Sequence, residues 1–383
     1  MHAFGGDTGG DSLLVDLSIR LVRDALGPKP SIVIHAAEAE SYSGRDLSKM
    51  GHVVDVPGFS GSIFDKLAGC TRIAAGLSGE KFEFKGGFPA LESIEPSLIV
   101  GVGGGYLRAG TRLESIKTTL AHLPQVLWAA NQPVPSIYLP QSIGPLASRA
   151  GRRLRDAIER VDHLFVRDDR TASLFMHHDG LRRAPDLALM ELADRLPDNA
   201  RDSGHERLYL AAGRLPKNPR LVAGYAERIK RLRELMPDAE LLLDGDPKLD
   251  DIGIKFYKSL GWTGPFRTVG EVLEKGPRGV MISVGLGNSL EAMLAGWPTV
   301  HLATERKAFG AFADMNLSHC IRKATCFDPQ EVANIATSLR FGRAAFWRNL
   351  TEAREAFAEA REEMKMLIAK SYLSGQKRRR ALA

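Results

Sequence analysis

The sequence has 383 residues, of which 44% are hydrophobic and 26% are charged, and its 52 Lys and Arg against 46 Asp and Glu give a net charge of +6. This size and composition are typical of a globular protein with two domains. No apolar run reaches the ~20 residues that a membrane span needs, and no aromatic residues interleave with the basic ones, so neither a membrane-spanning protein nor a nucleic-acid partner is predicted.

The first half of the chain alternates short apolar runs with amphipathic stretches, which is the pattern of βαβ units in a parallel sheet. Because the apolar runs have no polar face, we expect helices on both sides of that sheet. Strands are predicted at 31–35, 52–56, 97–102, 136–139 and 163–166. Helices are predicted at 12–26, 62–76, 111–130 and 149–161.

A polar stretch without periodicity at 191–208 predicts a domain boundary, after which the alternation resumes. Strands are predicted there at 208–212, 240–243, 280–283 and 299–302. Helices are predicted at 220–235, 250–260, 269–275, 289–295 and 330–339, followed by a long helix at roughly 343–372.

Two α/β halves joined by a linker predict two Rossmann-like domains whose parallel sheets face a cleft. We expect an N-terminal domain at 1–195 on the acceptor side and a C-terminal domain at 206–342 on the donor side. A helix and a basic tail would then occupy 343–383. The tail, KRRR from Lys377 to Arg380, is expected to be a solvated end or to make a weak contact with an anionic membrane surface.

The N-terminal segment MHAFGGDTGGD has neither a basic stretch nor an apolar stretch, so no signal peptide is predicted. We therefore expect a cytoplasmic protein, with peripheral contact at the inner membrane face as an open alternative. The three cysteines lack the spacing of metal ligands, and reduced thiols are expected. Neither a metal nor another cofactor is predicted.

The first candidate site residues lie in FGGDTGGDSLL, where Gly9 and Gly10 precede a helix predicted to start near Ser12. Glycines before a helix let its backbone N–H groups approach an anion, which the helix dipole also favours. Asp11 is expected either to cap this helix or to act as a base for a substrate hydroxyl.

Two further turns follow predicted strands. In LIVGVGGGYLRAG, Gly103 and Gly104 allow close approach of a ligand, but the glycine spacing is not that of a dinucleotide-binding motif. In IYLPQSIGPL, Gln141 and Ser142 offer hydrogen-bonding groups at a strand end. Substrate binding and a simple tight turn are both compatible with each segment.

Charged residues at strand ends complete the candidate set. Arg167 follows the predicted strand of HLFVRDDRTASLF, where it can bind a carboxylate or phosphate in a bidentate manner. The alternative is a structural ion pair with Asp168, Asp169 or Asp186. In the second half, Arg306 and Lys307 lie beyond a strand end with His301 nearby in sequence. By the same reasoning, further candidate residues in this half are Arg214, Asp244, Asp246 and Glu291.

Five segments in chain order resemble the polysaccharide pyruvyl transferase family, and together they cover most of residues 4–190. They are TGGDSLL, VGVGGG, LPQSIGP, FVRDDRTASLF and APDLAL. The resemblance implies two Rossmann-like domains arranged as in GT-B glycosyltransferases. It also implies transfer of the enolpyruvyl group of phosphoenolpyruvate to a sugar, as a cyclic ketal across two hydroxyls, with release of phosphate. By the same resemblance, Asp11, Arg167 and Lys307 match positions that the family uses for catalysis.

The second domain departs from the family pattern. The family carries Ser-x-Arg-x-His at a strand-to-helix turn, where this chain has SVGLG, so that Ser283 is kept and Gly285 and Gly287 replace the arginine and the histidine. The charge of that arginine and the proton of that histidine would then have to come from Arg306, His301 or His319, or the reaction differs.

The same turn, with Asn288 near the start of its helix, looks like the donor site of GT-B glycosyltransferases. In those enzymes a glycine loop and a helix N-terminus bind the diphosphate, and a Glu, here Glu291, binds the ribose. Three functions therefore remain open: pyruvyl transfer to a glycan or a lipid-linked saccharide, glycosyl transfer from a nucleotide-sugar, and sugar binding without catalysis.

Overall fold

The computed structural model describes residues 2–5, 9–38, 52–55, 95–195, 207–213, 216, 218–245 and 247–382. The chain divides into two compact units. The first unit comprises Met1–Met190 together with Phe357–Ala383, and the second comprises Glu191–Ala356. Each unit is built around its own parallel sheet, as the alternation of apolar and amphipathic segments predicts.

The described part of the first unit contains a seven-stranded sheet in the order β3-β2-β1-β4-β5-β6-β7. Every strand pairing in it is parallel, and β5 is buried along its whole length, which fits a sheet covered on both faces. The strands are β1 (His2–Gly5), β2 (Val33–Glu38), β3 (His52–Asp55), β4 (Ile99–Gly101), β5 (Ser136–Gln141), β6 (His163–Val166) and β7 (Leu181–Arg183).

The helices up to residue 195 largely follow the predicted periodicity, although the predicted helix at 62–76 lies outside the described residues. The predicted helix at 111–130 contains a π-helical turn, Thr118–His122, between two α-helices. The helices are α1 (Gly9–Leu26), α2 (Arg112–Lys117), α3 (Leu123–Asn131), α4 (Arg149–Ile158), α5 (Asp169–Leu174) and α6 (Leu187–Arg195).

A large core of the first unit lies where α3 and α4 pack on the sheet. Val126 of α3 and Leu154 and Ile158 of α4 are fully buried together with Tyr138 and Leu164 of the central strands. Burial of apolar surface of this kind is the main favourable contribution to folding. It fixes the strands whose carboxyl ends carry the candidate site.

The described part of the second unit contains a six-stranded parallel sheet in the order β10-β9-β8-β11-β12-β13. The strands are β8 (Arg207–Ala211), β9 (Glu240–Leu243), β10 (Arg267–Thr268), β11 (Gly279–Ser283), β12 (Thr299–Ala303) and β13 (Ile321–Lys323). The helices are α7 (Val222–Leu235), α8 (Pro247–Ser259), α9 (Val269–Lys275), α10 (Leu286–Leu294), α11 (Lys307–Asp314), α12 (Pro329–Phe341) and α13 (Ala344–Leu382).

The C-terminal helix α13 is longer than predicted. It continues past Tyr372 to Leu382, so the segment KRRR is helical and is not a disordered end. Gly375 lets the backbone of this extension lie against the backbone of Ser97 before β4. Within the first unit, Arg379 of the tail also pairs with Glu95.

Candidate functional site

The strand orders define one topological switch point in each sheet. In the first unit the chain runs from β1 outward to β2 and β3 and returns as β4 on the other side of β1. In the second unit β8 and β11 have the same relationship. Ligands of open α/β sheets bind outside the carboxyl ends of the strands at such points. The predicted glycine turns after β4 and β11 therefore lie where a ligand is expected.

The glycine turn after β4 is hydrogen-bonded to the end of β5. The Gly104 N–H donates to the Pro140 carbonyl at 3.1 Å, and the Ser142 N–H donates to the Gly104 carbonyl at 2.7 Å. Gly104 has φ = 152°, which side chains rarely adopt, and a Cβ on Gly103 would lie 3.0 Å from the Pro140 oxygen. The turn therefore requires glycine to run this close to β5.

Gln141 is fully buried beneath this turn. Its Nε2 donates to the Val102 carbonyl and, at 3.2 Å, to the Tyr106 hydroxyl, which in turn donates to Val102 at 2.6 Å. In the described part of the chain its Oε1 has no hydrogen-bond partner. Gln141 thus holds the glycine turn in place from below, a supporting role that the sequence pattern does not reveal.

Arg167 lies directly after β6, and groups from the neighbouring strand ends surround it. Its Nε donates to the Ser142 Oγ at 2.8 Å, and its Nη1 forms an ion pair with Asp186, which lies between β7 and α6. Its side chain is 13% exposed. Nη2 has no hydrogen-bond partner among the described residues, and a Cβ on Gly105 would come within 3.1 Å of it. One nitrogen of the guanidinium, Nη2, therefore lies against the glycine turn.

Asp186 holds Arg167 and also anchors the start of α6. Its Oδ1 accepts the Ala188 N–H at 2.8 Å, while its Oδ2 accepts from Arg167. Asp168 serves a different purpose, because it caps α5 by accepting the Thr171 N–H at 2.8 Å. Of the Asp residues that could pair with Arg167, Asp186 is the one that forms the ion pair.

The N-terminal candidates lie in the first turn of α1, which begins at Gly9 and not near Ser12. Asp11 is therefore inside the helix, and its predicted N-cap position is wrong. Gly10 is likewise helical. The side chain of Asp11 lies outside what the structure describes.

His122 was not singled out from the sequence, yet it is buried in the π-helical turn next to the glycine turn. Its ring lies 4.9 Å, centroid to centroid, from that of Tyr106. Burial, with a smaller contribution from Lys117, lowers the pKa of His122 to about 3. A π-helical turn often marks a functional region. A single His in an apolar stretch gives no signal of this in the sequence.

In the second unit, Ser283 ends β11 and organises the turn into α10. Its Oγ accepts the Gly285 N–H at 3.1 Å and donates to the Gly285 carbonyl at 3.0 Å. Helix α10 begins at Leu286, earlier than the predicted start, so Asn288 lies in its first turn. The Asn288 amide donates to Asp244, which follows β9.

The two glycines that replace the family's Arg and His have different surroundings. A Cβ on Gly285 would lie 3.1 Å from both the Asp244 carboxylate and the Asn288 amide, whereas a Cβ on Gly287 would have no atom within 4 Å. The position of the absent arginine is therefore crowded by the Asp244–Asn288 pair. The position of the absent histidine is open space.

Glu291 lies one turn further along α10, at the surface, and partial desolvation raises the pKa of its carboxyl, with the Asp244 carboxylate as the second cause. Spacing of four residues puts Glu291 on the same helix face as Gly287. The turn thus combines a helix N-terminus, an open position and two carboxylates.

Arg306 and Lys307 are exposed at the start of α11, beyond β12. The Lys307 ammonium lies 3.3 Å from the Glu305 carboxylate, with its side chain 55% exposed. His301, in contrast, is buried: its Nδ1 lies 3.0 Å from the Ser289 Oγ and its ring stacks on Phe312. Such a histidine is held as part of the core.

No group of three or more His, Cys, Asp or Glu in the described part of the chain could hold a metal ion. None of the helices found there is long and apolar enough to cross a membrane. Arg214 and Asp246, two further predicted candidates, lie outside the described residues.

Solved structures share the fold at low sequence identity. UDP-GlcNAc 2-epimerase from Neisseria meningitidis, bound to UDP-GlcNAc, has a TM-score of 0.56 and 16% identity, over 97% of this chain and 99% of its own. The glycotransferase of kitacinnamycin has a TM-score of 0.52 and 13% identity, over 97% of each chain. A putative UDP-N-acetylglucosamine 2-epimerase from Listeria monocytogenes has a TM-score of 0.52 and 12% identity, over 100% of this chain and 96% of its own. They confirm the predicted GT-B-like fold.

No curated protein matches the sequence. The family model described as polysaccharide pyruvyl transferase matches residues 8–275, which is more than half of the chain. The match includes the glycine turn, Arg167 and Asp244 and ends before α10 and Lys307, which is also where the sequence departs from the family pattern. The chain belongs to the polysaccharide pyruvyl transferase family, and it is a transferase with a GT-B-like fold.

Proposed function

We propose that this transferase moves a pyruvyl group from phosphoenolpyruvate to a pair of sugar hydroxyls in the biosynthesis of a cell-surface glycan. The observation that supports this most is the position of Arg167 at the switch-point edge of the first sheet, with Nη2 directed at Gly105. Ser142 holds Nε and Asp186 holds Nη1, so the guanidinium is fixed in position and Nη2 is left for an anion.

The chemistry explains why a fixed cation is useful. Phosphoenolpyruvate carries a carboxylate and a phosphate, both of which pair well with a planar guanidinium. Attack by a sugar hydroxyl on C2 needs a base for the hydroxyl proton, protonation of the methylene carbon needs an acid, and phosphate leaves when the ketal forms. Asp11 and Lys307 remain proposed catalytic residues on the strength of the family resemblance.

The acceptor and the compartment belong to the same proposal. A glycan or a lipid-linked saccharide would supply the two hydroxyls. Phosphoenolpyruvate is a cytoplasmic metabolite, so the reaction is placed in the cytoplasm. No metal or other cofactor is needed for the transfer as written.

A second candidate function, glycosyl transfer from a nucleotide-sugar, is supported by the turn before α10. Gly287 lies in the first turn of that helix with open space beside it, and Glu291 lies one turn further along. Backbone N–H groups at a helix start bind phosphates well, and a carboxylate can accept hydrogen bonds from ribose hydroxyls. The two carboxylates of Asp244 and Glu291 oppose a diphosphate, so we rank this candidate second.

Thermal unfolding with each ligand separates these functions. Phosphoenolpyruvate at one hundred times its Kd is expected to add about 2.7 kcal/mol of stability, whereas UDP should add nothing. Arg167→Ala should abolish the shift with phosphoenolpyruvate. A shift with UDP alone would favour glycosyl transfer, and no shift with either would favour a sugar-binding protein without catalysis.

Two further variants guard against a merely structural effect. Arg167→Ala leaves Asp186 without its ion pair and will itself lower the melting temperature, so the ligand-induced shift is the quantity to compare. Arg167→Lys keeps the charge and should retain part of the shift. Arg155→Ala, which removes an exposed arginine paired with Glu159, should leave the whole shift intact.

A further inference from the structure

Helices α2 and α4 lie side by side in the first unit and both start at the edge of the sheet that carries Arg167. The loops that lead into them are hydrogen-bonded to each other: the Ala109 N–H donates to the Pro145 carbonyl at 2.8 Å, and the Gly144 N–H donates to the Leu107 carbonyl at 2.9 Å. The two helices also contact each other. Together they form one surface next to the candidate site.

Helix α2 exposes large apolar side chains on this surface. Leu113 is 67% exposed and Ile116 is 56% exposed, and none of the helix residues is buried. The capping box of Thr111 and Glu114 holds this short helix in place without any apolar anchor. Exposed apolar residues grouped in this way are unusual on a protein that is only in contact with water.

Helix α4, which contacts α2, also exposes arginines. Its inner face is fully buried through Leu154, Ala157 and Ile158, and its outer face carries Arg149 and Arg152. Both arginines lie in the first turn, which contains no acidic residue. The N-terminus of a helix carries partial positive charge, and like charges three residues apart repel each other, so these positions cost helix stability.

These arginines are also poorly neutralised by the protein itself. In the part of the chain that the structure describes, neither Arg149 nor Arg112 of α2 forms an ion pair, and Arg152 donates only to the Ala147 carbonyl at 3.3 Å. Arg155, further along α4, pairs with Glu159. Basic residues at a helix N-terminus, without a close ion pair among the described residues, favour an external anionic partner.

We propose that this surface, formed by Arg112, Leu113, Ile116, Lys117, Arg149 and Arg152, docks on an anionic membrane. Basic side chains bind anionic headgroups, and neighbouring apolar side chains insert at the boundary with the acyl chains. The exposed Leu113 and Ile116 favour a membrane over a soluble anionic polymer, which would use the charges alone. Docking here would hold the edge of the sheet that carries Arg167 close to the headgroups, where a lipid-linked acceptor presents its sugar.

Vesicle flotation with the full-length protein tests this without any substrate, so the result is independent of the proposed reaction. We expect binding to vesicles of phosphatidylcholine mixed with phosphatidylglycerol, weakening as salt is raised, and little binding to phosphatidylcholine alone. Arg149→Ala with Arg152→Ala should lower the partition coefficient by roughly twenty-five-fold, at about fivefold for each basic residue. Leu113→Ser with Ile116→Ser should lower it by roughly tenfold.

Matched control pairs come from elsewhere in the chain. Arg220→Ala with Arg348→Ala removes two exposed arginines of the second unit. Met366→Ser with Leu373→Ser removes two apolar side chains of α13 that are 65% and 58% exposed. Neither control pair should change binding.

Equal binding to both kinds of vesicle, or an equal loss in the control pairs, would overturn the proposal. So would normal vesicle binding by the Leu113→Ser, Ile116→Ser variant combined with full competition by soluble polyphosphate. That combination would identify the surface as a site for an anionic polymer.

Discussion

His122 is a buried neutral group whose protonation opposes folding. In the unfolded chain its pKa is near the ordinary value of 6.5 for a histidine, whereas burial lowers the pKa to about 3 in the folded protein. Below pH 6.5 the unfolded chain therefore binds the proton more readily, and stability is lost as the pH falls toward 3. We expect the free energy of unfolding to fall by about 2 kcal/mol between pH 7.5 and pH 5, as measured by urea unfolding of the full-length protein.

The variant His122→Gln should remove most of this dependence of the free energy of unfolding on pH, because glutamine does not titrate. His319→Gln is the matched control, since His319 is exposed. A slope that persists unchanged in the His122→Gln protein would contradict the assignment to this residue.

Some individual residues of the site were predictable from sequence and others were not. Arg167 was predictable because a charged residue right after an apolar strand lies at the carboxyl edge of a parallel sheet. The choice of Asp186 as its partner was not, since Asp168 and Asp169 are closer along the chain and only the packing of β7 brings Asp186 within reach. The importance of Gly105 was likewise not predictable, because only the structure shows that Arg167 lies against it.

At the scale of elements, the strands that were predicted match the structure more closely than the helix ends do, although β1, β7, β10 and β13 were not predicted. Short apolar runs mark strands clearly, whereas a helix can begin before its first apolar residue. Helix α10 begins at Leu286 because Gly285 and Ser283 form a tight hydrogen-bonded turn, and α1 begins at Gly9. The π-helical turn Thr118–His122 has no periodic signature in a stretch that reads as one continuous helix.

The docking of α13 on the first unit depends on a glycine that has no local role in the helix. A Cβ on Gly375 would lie 1.8 Å from the Ser97 carbonyl oxygen and 3.2 Å from the Pro135 ring. We expect Gly375→Ala to destabilise the first unit by about 1–3 kcal/mol, because the helix must move away from β4 and β5. Urea unfolding measures the loss, and faster trypsin cleavage in KRRR reports the released helix end.

Gly270→Ala is the control for this substitution. Gly270 is also helical, in α9, but a Cβ there would have no atom within 4 Å. Alanine should therefore stabilise the protein by about 0.5–1 kcal/mol through its better helix propensity. If Gly375→Ala were as stabilising as Gly270→Ala, the close contact with Ser97 would be disproved.

At the scale of the whole molecule, the open question is which of the two units binds the donor. Both sheets have a switch point with a glycine turn, and the sequence alone favoured the second unit for the donor. The first unit has the guanidinium of Arg167, which Ser142 and Asp186 hold in place. The corresponding edge of the second unit has the carboxylates of Asp244 and Glu291, with Arg306 and Lys307 exposed beyond the neighbouring strand. We propose the first unit for an anionic donor because its cation is fixed in position.

Hydrogen exchange of the full chain can locate the donor, because amides that bind phosphate or carboxylate oxygens exchange more slowly. We expect phosphoenolpyruvate to protect the Gly103 and Gly105 amides of the glycine turn, with no protection at the start of α10, and Arg167→Ala to abolish the effect. UDP should protect neither region. Since the second unit is compared in the same sample, it serves as an internal control for nonspecific stabilisation. Protection by phosphoenolpyruvate confined to residues 286–288 would instead place the donor in the second unit and leave Arg167 without the role proposed for it.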